Sequence, residues 1–214
     1  MKQFESGFLN EEIAAQGLDK VSAFMDRQRR QNIDYVFWGK TGYKPEVSFS
    51  MLHDQNGIYL KYWVREKYIR SIYKRFNDPV YKDSCVECFI AFESDTGYYN
   101  MEFNCAGTAL IGYGADKYNR QLLPENVLSK ITVRSNIQPY NLVNELYSWD
   151  LTLFFPFETF IHHQLTGMTG HLCRANFYKC GDDLPEPHFL SWAPIVNPYP
   201  EFHLPAFFGT IGFV

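Results

Sequence analysis

Glu87 and Glu102 are the residues of this chain whose type and spacing point most directly to chemistry. They fall on two apolar runs separated by a short polar turn, Glu93 to Gly97, in which Ser-Asp-Thr-Gly supplies turn residues. Paired as a hairpin, the runs put Val86, Cys88, Ile90 and Phe92 on one face, with Tyr99, Met101, Phe103 and Cys105 beside them. Glu87, Phe89 and Ala91 then share the opposite face with Tyr98, Asn100, Glu102 and Asn104. A strand pair with one buried face and one lined by amides and carboxylates offers a polar surface to small, hydroxyl-rich ligands. Farther along, Arg174, Asn176 and Tyr178 alternate onto one side of a third run, and Arg174 is expected to join the two carboxylates there. Such a charge-assisted network orients hydroxyl groups. Two carboxylates on neighbouring strands can also meet the separation of about 5–9.5 Å that acid and base, or acid and nucleophile, require in glycoside hydrolysis. Hydrolysis at Glu87 and Glu102 is therefore the alternative to plain binding.

Other reactive residue types lack a working pattern. Cys85 and Cys88 form a C-x-x-C, but positions i and i+3 of a strand face opposite sides, which suits neither zinc nor redox chemistry. The five cysteines read as buried small hydrophobes. His53, His162, His163, His171, His188 and His203 show no helical metal-binding spacing. Gly112-Tyr113-Gly114 lacks the third glycine and the following helix of a dinucleotide fingerprint. Asp182-Asp183 after Gly181 offers oxygens of the kind calcium takes in a loop.

The elements that must hold these residues are mostly strands. Val36 to Trp38 and Val47 to Leu52 read as short strands around a Gly42-Tyr43-Lys44-Pro45 turn. Ile58, Leu60, Tyr62 and Val64 point inward, with Tyr59, Lys61, Trp63 and Arg65 outward, and Asp54 to Gly57 makes a hairpin turn before them. Glu66 to Tyr81 is a charged, aromatic loop expected to form one wall of the ligand site. Thr108 to Gly112 is another strand, Pro124 to Ile131 one or two helical turns, and Val133 to Leu146 irregular or weakly stranded. Trp149, Leu151, Leu153 and Phe155 alternate until Pro156 ends the run. Leu172 to Lys179, His188 to Trp192 and Thr210 to Val214 complete the strands. Before all of them, Asn10 to about Arg30 carries Ile13, Ala14, Leu18, Val21, Phe24 and Met25 at amphipathic-helix spacing, with Asn10 as the cap.

An aromatic shortly before D-S-x-V-E-x-F, followed by a strand ending F-N-x-x-G, resembles carbohydrate-binding modules of family 9 and their single-domain relatives. W-D-L-T-L-F-F-P-F at 149–157, R-A-N-F-Y-K at 174–179, L-S-W at 190–192 and F-H-L-P-A-F-F-G at 202–209 extend the likeness, in order, over about Val36 to Val214. The resemblance implies a β-sandwich that clamps a terminal sugar between two aromatic rings. It assigns Tyr81 and Phe202 to the clamp, Glu87 to a sugar-contacting carboxylate and Tyr178 to a contact position. Neither clamp residue here is Trp, which reduces stacking area and removes an indole donor. Glu102 stands where the family has a contacting Arg. Members of the family often hold calcium, and distant sandwich relatives bind haem, but no His/Met pair is singled out here.

At 214 residues with 18% aromatics the chain fits one all-β domain, jelly-roll-like, with residues 1–35 as an added helical extension. A net charge of −4 gives no basic footprint for nucleic acid, and no apolar run is long enough to span a membrane as a helix. The N-terminus lacks an apolar h-region, so a cytoplasmic location is expected, or a periplasmic or secreted one if a leader precedes this sequence. The expected function is non-catalytic recognition of a saccharide chain end through Tyr81, Glu87, Glu102, Arg174, Tyr178 and Phe202. A glycoside-processing enzyme and an interaction module that has lost sugar binding are the alternatives.

Overall fold

Alternating apolar residues and short polar turns produce a structure in which strands are the main regular element. The computed structural model describes residues 2–38, 42–93, 95–141 and 146–214. In chain order come β1 (Gln3–Phe8), α1 (Glu11–Ala14), α2 (Leu18–Met25), β2 (Gln31–Asn32), β3 (Tyr35–Trp38), β4 (Glu46–His53) and β5 (Gly57–Glu66). The middle holds β6 (Cys85–Phe92), β7 (Tyr98–Asn104), β8 (Ala109–Gly114), β9 (Gln121–Leu122), α3 (Glu125–Leu128), β10 (Thr132–Asn141) and β11 (Leu146–Pro156). The last three strands are β12 (Leu172–Cys180), β13 (Phe189–Ser191) and β14 (Gly209–Phe213).

These strands form two layers. One follows the order β10-β11-β5-β4, with β2 added on β4. The other follows β14-β12-β6-β7-β8-β9, with β13 paired to β12 and β3 to β13. Their inner faces meet in the main core, where Phe49, Tyr62, Trp149 and Leu151 oppose Ile90, Met101, Phe103 and Phe177. Phe49 and Phe177 stack across the layers with centroids 3.7 Å apart and planes 21° from parallel. This is the β-sandwich expected from the sequence.

The N-terminal segment is more than a helical extension. β1 runs parallel to β14 through residues 3–6 and parallel to β4 through residues 7–8, so it passes from one layer into the other. The single amphipathic helix expected from Asn10 is two short helices. Asn10 does cap the first, its side chain accepting from Glu12 N–H, but Gly17 at φ 88° breaks the path between them. Both helices lie on the outer face of β5 and β11, with Val21 and Met25 packed on Leu52 and Tyr59.

Tyr59 and Lys61 do point away from the main core, as read, but the helices cover that face and bury both. Lys61 Nζ donates to Ser22 O (3.1 Å), Ser22 Oγ (2.8 Å) and Asp26 Oδ1 (2.7 Å). The expected hairpin turn forms, with Asp54 Oδ1 accepting from Asn56 and Gly57 N–H. A side chain at Gly57 would collide with Phe155 O, its Cβ falling 2.2 Å away. Residues 132–141, within the stretch read as irregular or weakly stranded, are a ten-residue strand antiparallel to β11; at the edge of its layer and exposed along most of its length, it needs no apolar alternation. Residues 142–145 of that stretch, and Ser94 of the hairpin turn, lie outside the described residues. Glu66 is not a loop residue but the buried last position of β5.

Candidate functional site

The outer face of the second layer carries the polar row of the β6–β7 hairpin. Antiparallel pairing sets Glu87 directly opposite Glu102, Phe89 opposite Asn100, and Tyr178 of β12 opposite Glu87. Loops cover much of this face. Trp38, Ile195, Phe202 and Phe208 pack with Phe89, Tyr98 and Tyr178 in a second apolar cluster, so the open surface expected from the sequence is narrowed to a cavity.

The cavity encloses about 350 Å³ and is bounded by Tyr81, Glu87, Asn100, Glu102, Leu110, Lys117, Arg120, Leu122, Cys180, Asp182, Phe189 and residues 200–203. Its size falls in the usual range for small-ligand sites, about 300–1,000 Å³. Larger clefts, up to about 660 Å³, open elsewhere. The smaller cavity is the one that combines Tyr81 and Phe202 with the Glu87–Glu102 pair.

Four of the six residues singled out from sequence therefore meet here: Tyr81, Glu87, Glu102 and Phe202. Two do not. Arg174 lies four residues along β12 from the partner of Glu87, roughly 13 Å at strand spacing. It donates to Asp95 O at 2.9 Å and Pro205 O at 3.5 Å. Tyr178 is fully buried beneath Phe202, the two rings 4.2 Å apart and 13° from parallel. It backs the Phe202 ring instead of facing the cavity.

The cation expected from Arg174 is supplied by Arg120, just before β9. Its Nε donates to Asn100 Oδ1 at 2.7 Å and its Nη2 to Tyr98 O at 2.9 Å, and the guanidinium lies 4.4 Å over the Tyr98 ring. Asn100 Nδ2 in turn donates to Glu102 Oε1 at 2.7 Å. Glu102 Oε2 is buried and has no hydrogen-bond partner among the described residues. No local pattern in the 114–120 loop marked Arg120; only folding the loop back over β7 brings it in. Nor does the loop from Glu66 to Tyr81 wall the cavity beyond Tyr81 itself. The walls come from 110–122 and 200–203.

Burial sets the protonation of the site. It pushes the Glu102 carboxyl up to about 7, against the Asn100 hydrogen bond and the nearby Arg120 charge. It lifts Glu87 well above the carboxylate range, with Cys180 and Glu102 adding to the effect. His203, whose Nδ1 lies 2.9 Å from Tyr98 Oη, falls to about 4 through burial and the Arg120 charge, so it is neutral at pH 7.

Asp182 reaches the cavity, while Asp183 lies 3.4 Å from Arg70 Nη2 and 4.0 Å from Lys82 Nζ. Cys85 and Cys88 face opposite sides of β6, as their spacing requires.

The sequence model of carbohydrate-binding family 9 matches residues 19–213. Among solved structures, a candidate carbohydrate-binding protein from Bacteroides uniformis ATCC 8492 is 35% identical over 100% of this chain and 99% of its own, with a TM-score of 0.89. A family 9 carbohydrate-binding module from Caldicellulosiruptor kristjanssonii in complex with glucose shares the fold at a TM-score of 0.59 and 12% identity, over 100% of this chain and 96% of that one. Its complex with cellotriose aligns at the same TM-score and identity, over 99% and 93% of the two chains. No curated protein matches the sequence.

Proposed function

This chain belongs to carbohydrate-binding family 9, and from that premise we propose that it binds a saccharide end, without catalysis, in the cavity between Tyr81 and Phe202. The observation that carries the reading is the meeting in one cavity of two aromatic rings from distant segments with the Glu87–Glu102 pair. The rings offer flat apolar surface for the C–H face of a sugar, and the carboxyls, Asn100 and Arg120 bracket its hydroxyl rim. Buried Glu102 Oε2 is an acceptor that a sugar hydroxyl can satisfy.

Binding is favoured over hydrolysis by the electrostatics. A hydrolytic pair needs environments that push its two carboxyls apart, one kept protonated and the other ionised. Here burial moves both in the same direction.

The relatives in complex with glucose and cellotriose supply the first probes. Calorimetry with glucose, cellobiose and cellotriose is expected to give dissociation constants from about micromolar to millimolar, the range left after association costs. Recognition of an end predicts similar affinity for di- and trisaccharide and competition by either against polymer binding. Affinity that climbs steadily with chain length would rule out the end, and no binding by any of a broad glycan panel would rule out the saccharide.

A further inference from the structure

We propose that Cys85, Glu87 and Cys180 form a binding site for one divalent cation of the zinc type at the floor of the cavity, sharing Glu87 with the saccharide. β6 and β12 pair antiparallel with Cys85 directly opposite Cys180. Glu87 lies two residues beyond Cys85, on the same face. The two sulfurs and a Glu87 carboxylate oxygen all fall within 4.8 Å of one another. Around a tetrahedral zinc, with Zn–S about 2.3 Å and Zn–O about 2.0–2.2 Å, such donors sit roughly 3.5–4 Å apart. Small side-chain rotations are enough to close the set.

The donor chemistry selects the ion. Two thiolates and one carboxylate suit zinc and other soft or borderline cations, and they do not suit calcium or magnesium, which take oxygen shells. The fully buried Glu87 carboxyl accepts the Cys180 thiol at 3.0 Å. A thiol is a weak donor, so a cation would satisfy this carboxyl far better. Access is available because Glu87 and Cys180 border the cavity while Cys85 sits behind them. Three protein ligands leave a fourth position turned toward the cavity.

C-x-x-C spacing plays no part: Cys88 faces the main core with Cys105 and Cys173, and the second sulfur comes from β12. Burial holds the Cys85 thiol up to about 12 and lifts Cys180 well above the ordinary thiol range. Loading therefore releases thiol protons and strengthens as pH rises.

The sharing of Glu87 rests on the saccharide reading; the cation site does not. The test titrates reduced full-length protein with Co²⁺, then displaces it with Zn²⁺. One equivalent is expected, with thiolate-to-cobalt absorbance in the near ultraviolet that Zn²⁺ removes. Cys85→Ser and Cys180→Ser are each expected to abolish that signal, and Cys173→Ala to keep it, with circular dichroism confirming that each variant is folded. Absence of the absorbance in wild type, or its persistence in both serine variants, overturns the site. Sharing is read separately by glucose and cellotriose calorimetry. Zn²⁺ at about ten times its dissociation constant should weaken the saccharide roughly tenfold. Unchanged saccharide affinity under Zn²⁺ overturns the sharing. A cobalt signal in a protein that binds no saccharide supports the cation site while overturning the saccharide reading.

Discussion

The Phe202 ring lies on the Tyr178 ring with centroids 4.2 Å apart and planes 13° from parallel, and Tyr178 Oη donates to Phe202 O at 3.1 Å. The stack fixes the plane of Phe202, and the hydrogen bond fixes its backbone, although the residue sits in a segment without regular secondary structure. Phe202 thus reaches the cavity as a rigid plate. Its replacement by Ala is expected to weaken glucose or cellotriose binding by about 5- to 30-fold, or about 1–2 kcal/mol. Tyr178→Phe keeps the stack and removes only the hydroxyl, so it should cost about 1 kcal/mol of stability with little change in affinity. Calorimetry and thermal unfolding separate the two. Unchanged affinity in both Tyr81→Ala and Phe202→Ala would discard the clamp.

Arg120 is expected to organise the polar wall. It ties Asn100 Oδ1 to the carbonyls of Tyr98 and Gly112, and Asn100 passes the order on to Glu102. Arg120→Gln should lower saccharide affinity and raise the Glu102 carboxyl further, because the Arg120 charge now opposes the burial effect. Arg120→Lys should rescue poorly, since one ammonium cannot reproduce a fork that engages Asn100 Oδ1 and the carbonyls of Tyr98, Gly112 and Asp116 together. Full rescue by Lys would mean that only the charge matters.

How far the sequence could be read follows from what period-two patterns encode. They mark which side of a strand meets the main core, so Val86 to Phe92, Ile58 to Val64 and Trp149 to Phe155 all point as read. They do not say what covers the other side. Lys61 alternates like a surface residue, yet α2 packs over it and it is buried. β1 was missed because a strand crossing between layers is half-buried in an uneven pattern. Site residues showed the same limit. The Glu87–Glu102 pair was legible because adjacent strands of one hairpin fix their register, whereas Arg120 comes from a loop fold-back that no local spacing records. Arg174 shares the outer face of Tyr178 and still misses the cavity, because sharing a face says nothing of distance along the strand.

Glu102 makes the stability of the fold depend on pH in a direction unusual for a carboxyl. Its pKa rises from 4.5 to about 7 on folding, so between those values the native state holds more protons than the unfolded chain. Its contribution to stability is complete on the acid side and lost as pH rises through about 7. His188 and His203, lowered to about 3 and about 4, act oppositely, gaining stability as pH rises toward 6.5. The clean measurement is therefore a difference. Glu102→Gln should gain on wild type progressively from about pH 4.5 to 8, by on the order of 3 kcal/mol at the top. A difference that does not vary with pH in urea unfolding would refute the assignment.

The two layers are pinned at one end by a buried ion pair that joins β5 to β12. Lys179 Nζ lies 2.9 Å from Glu66 Oε2, and neither side chain is exposed to solvent. Trp149 Nε1 donates to Glu66 Oε1 at 2.7 Å, while Lys179 Nζ also donates to Cys180 O at 2.8 Å and lies 2.9 Å from His188 Nε2. Taking two charges out of water is costly, so the pair itself need not add much net stability. Removing one partner is different, because it strands the other charge in the core. Lys179→Met should destabilise by about 3–5 kcal/mol, whereas Lys179→Met combined with Glu66→Gln should recover most of that loss, the glutamine still accepting from Trp149. Lys179 lies on the face of β12 that meets the main core, away from the cavity, so its loss should not touch saccharide binding directly. The double variant is expected to unfold near wild type and bind cellotriose normally. Equal damage in the single and double variants would show that the methionine fails through packing and that the charge pair is not the pin.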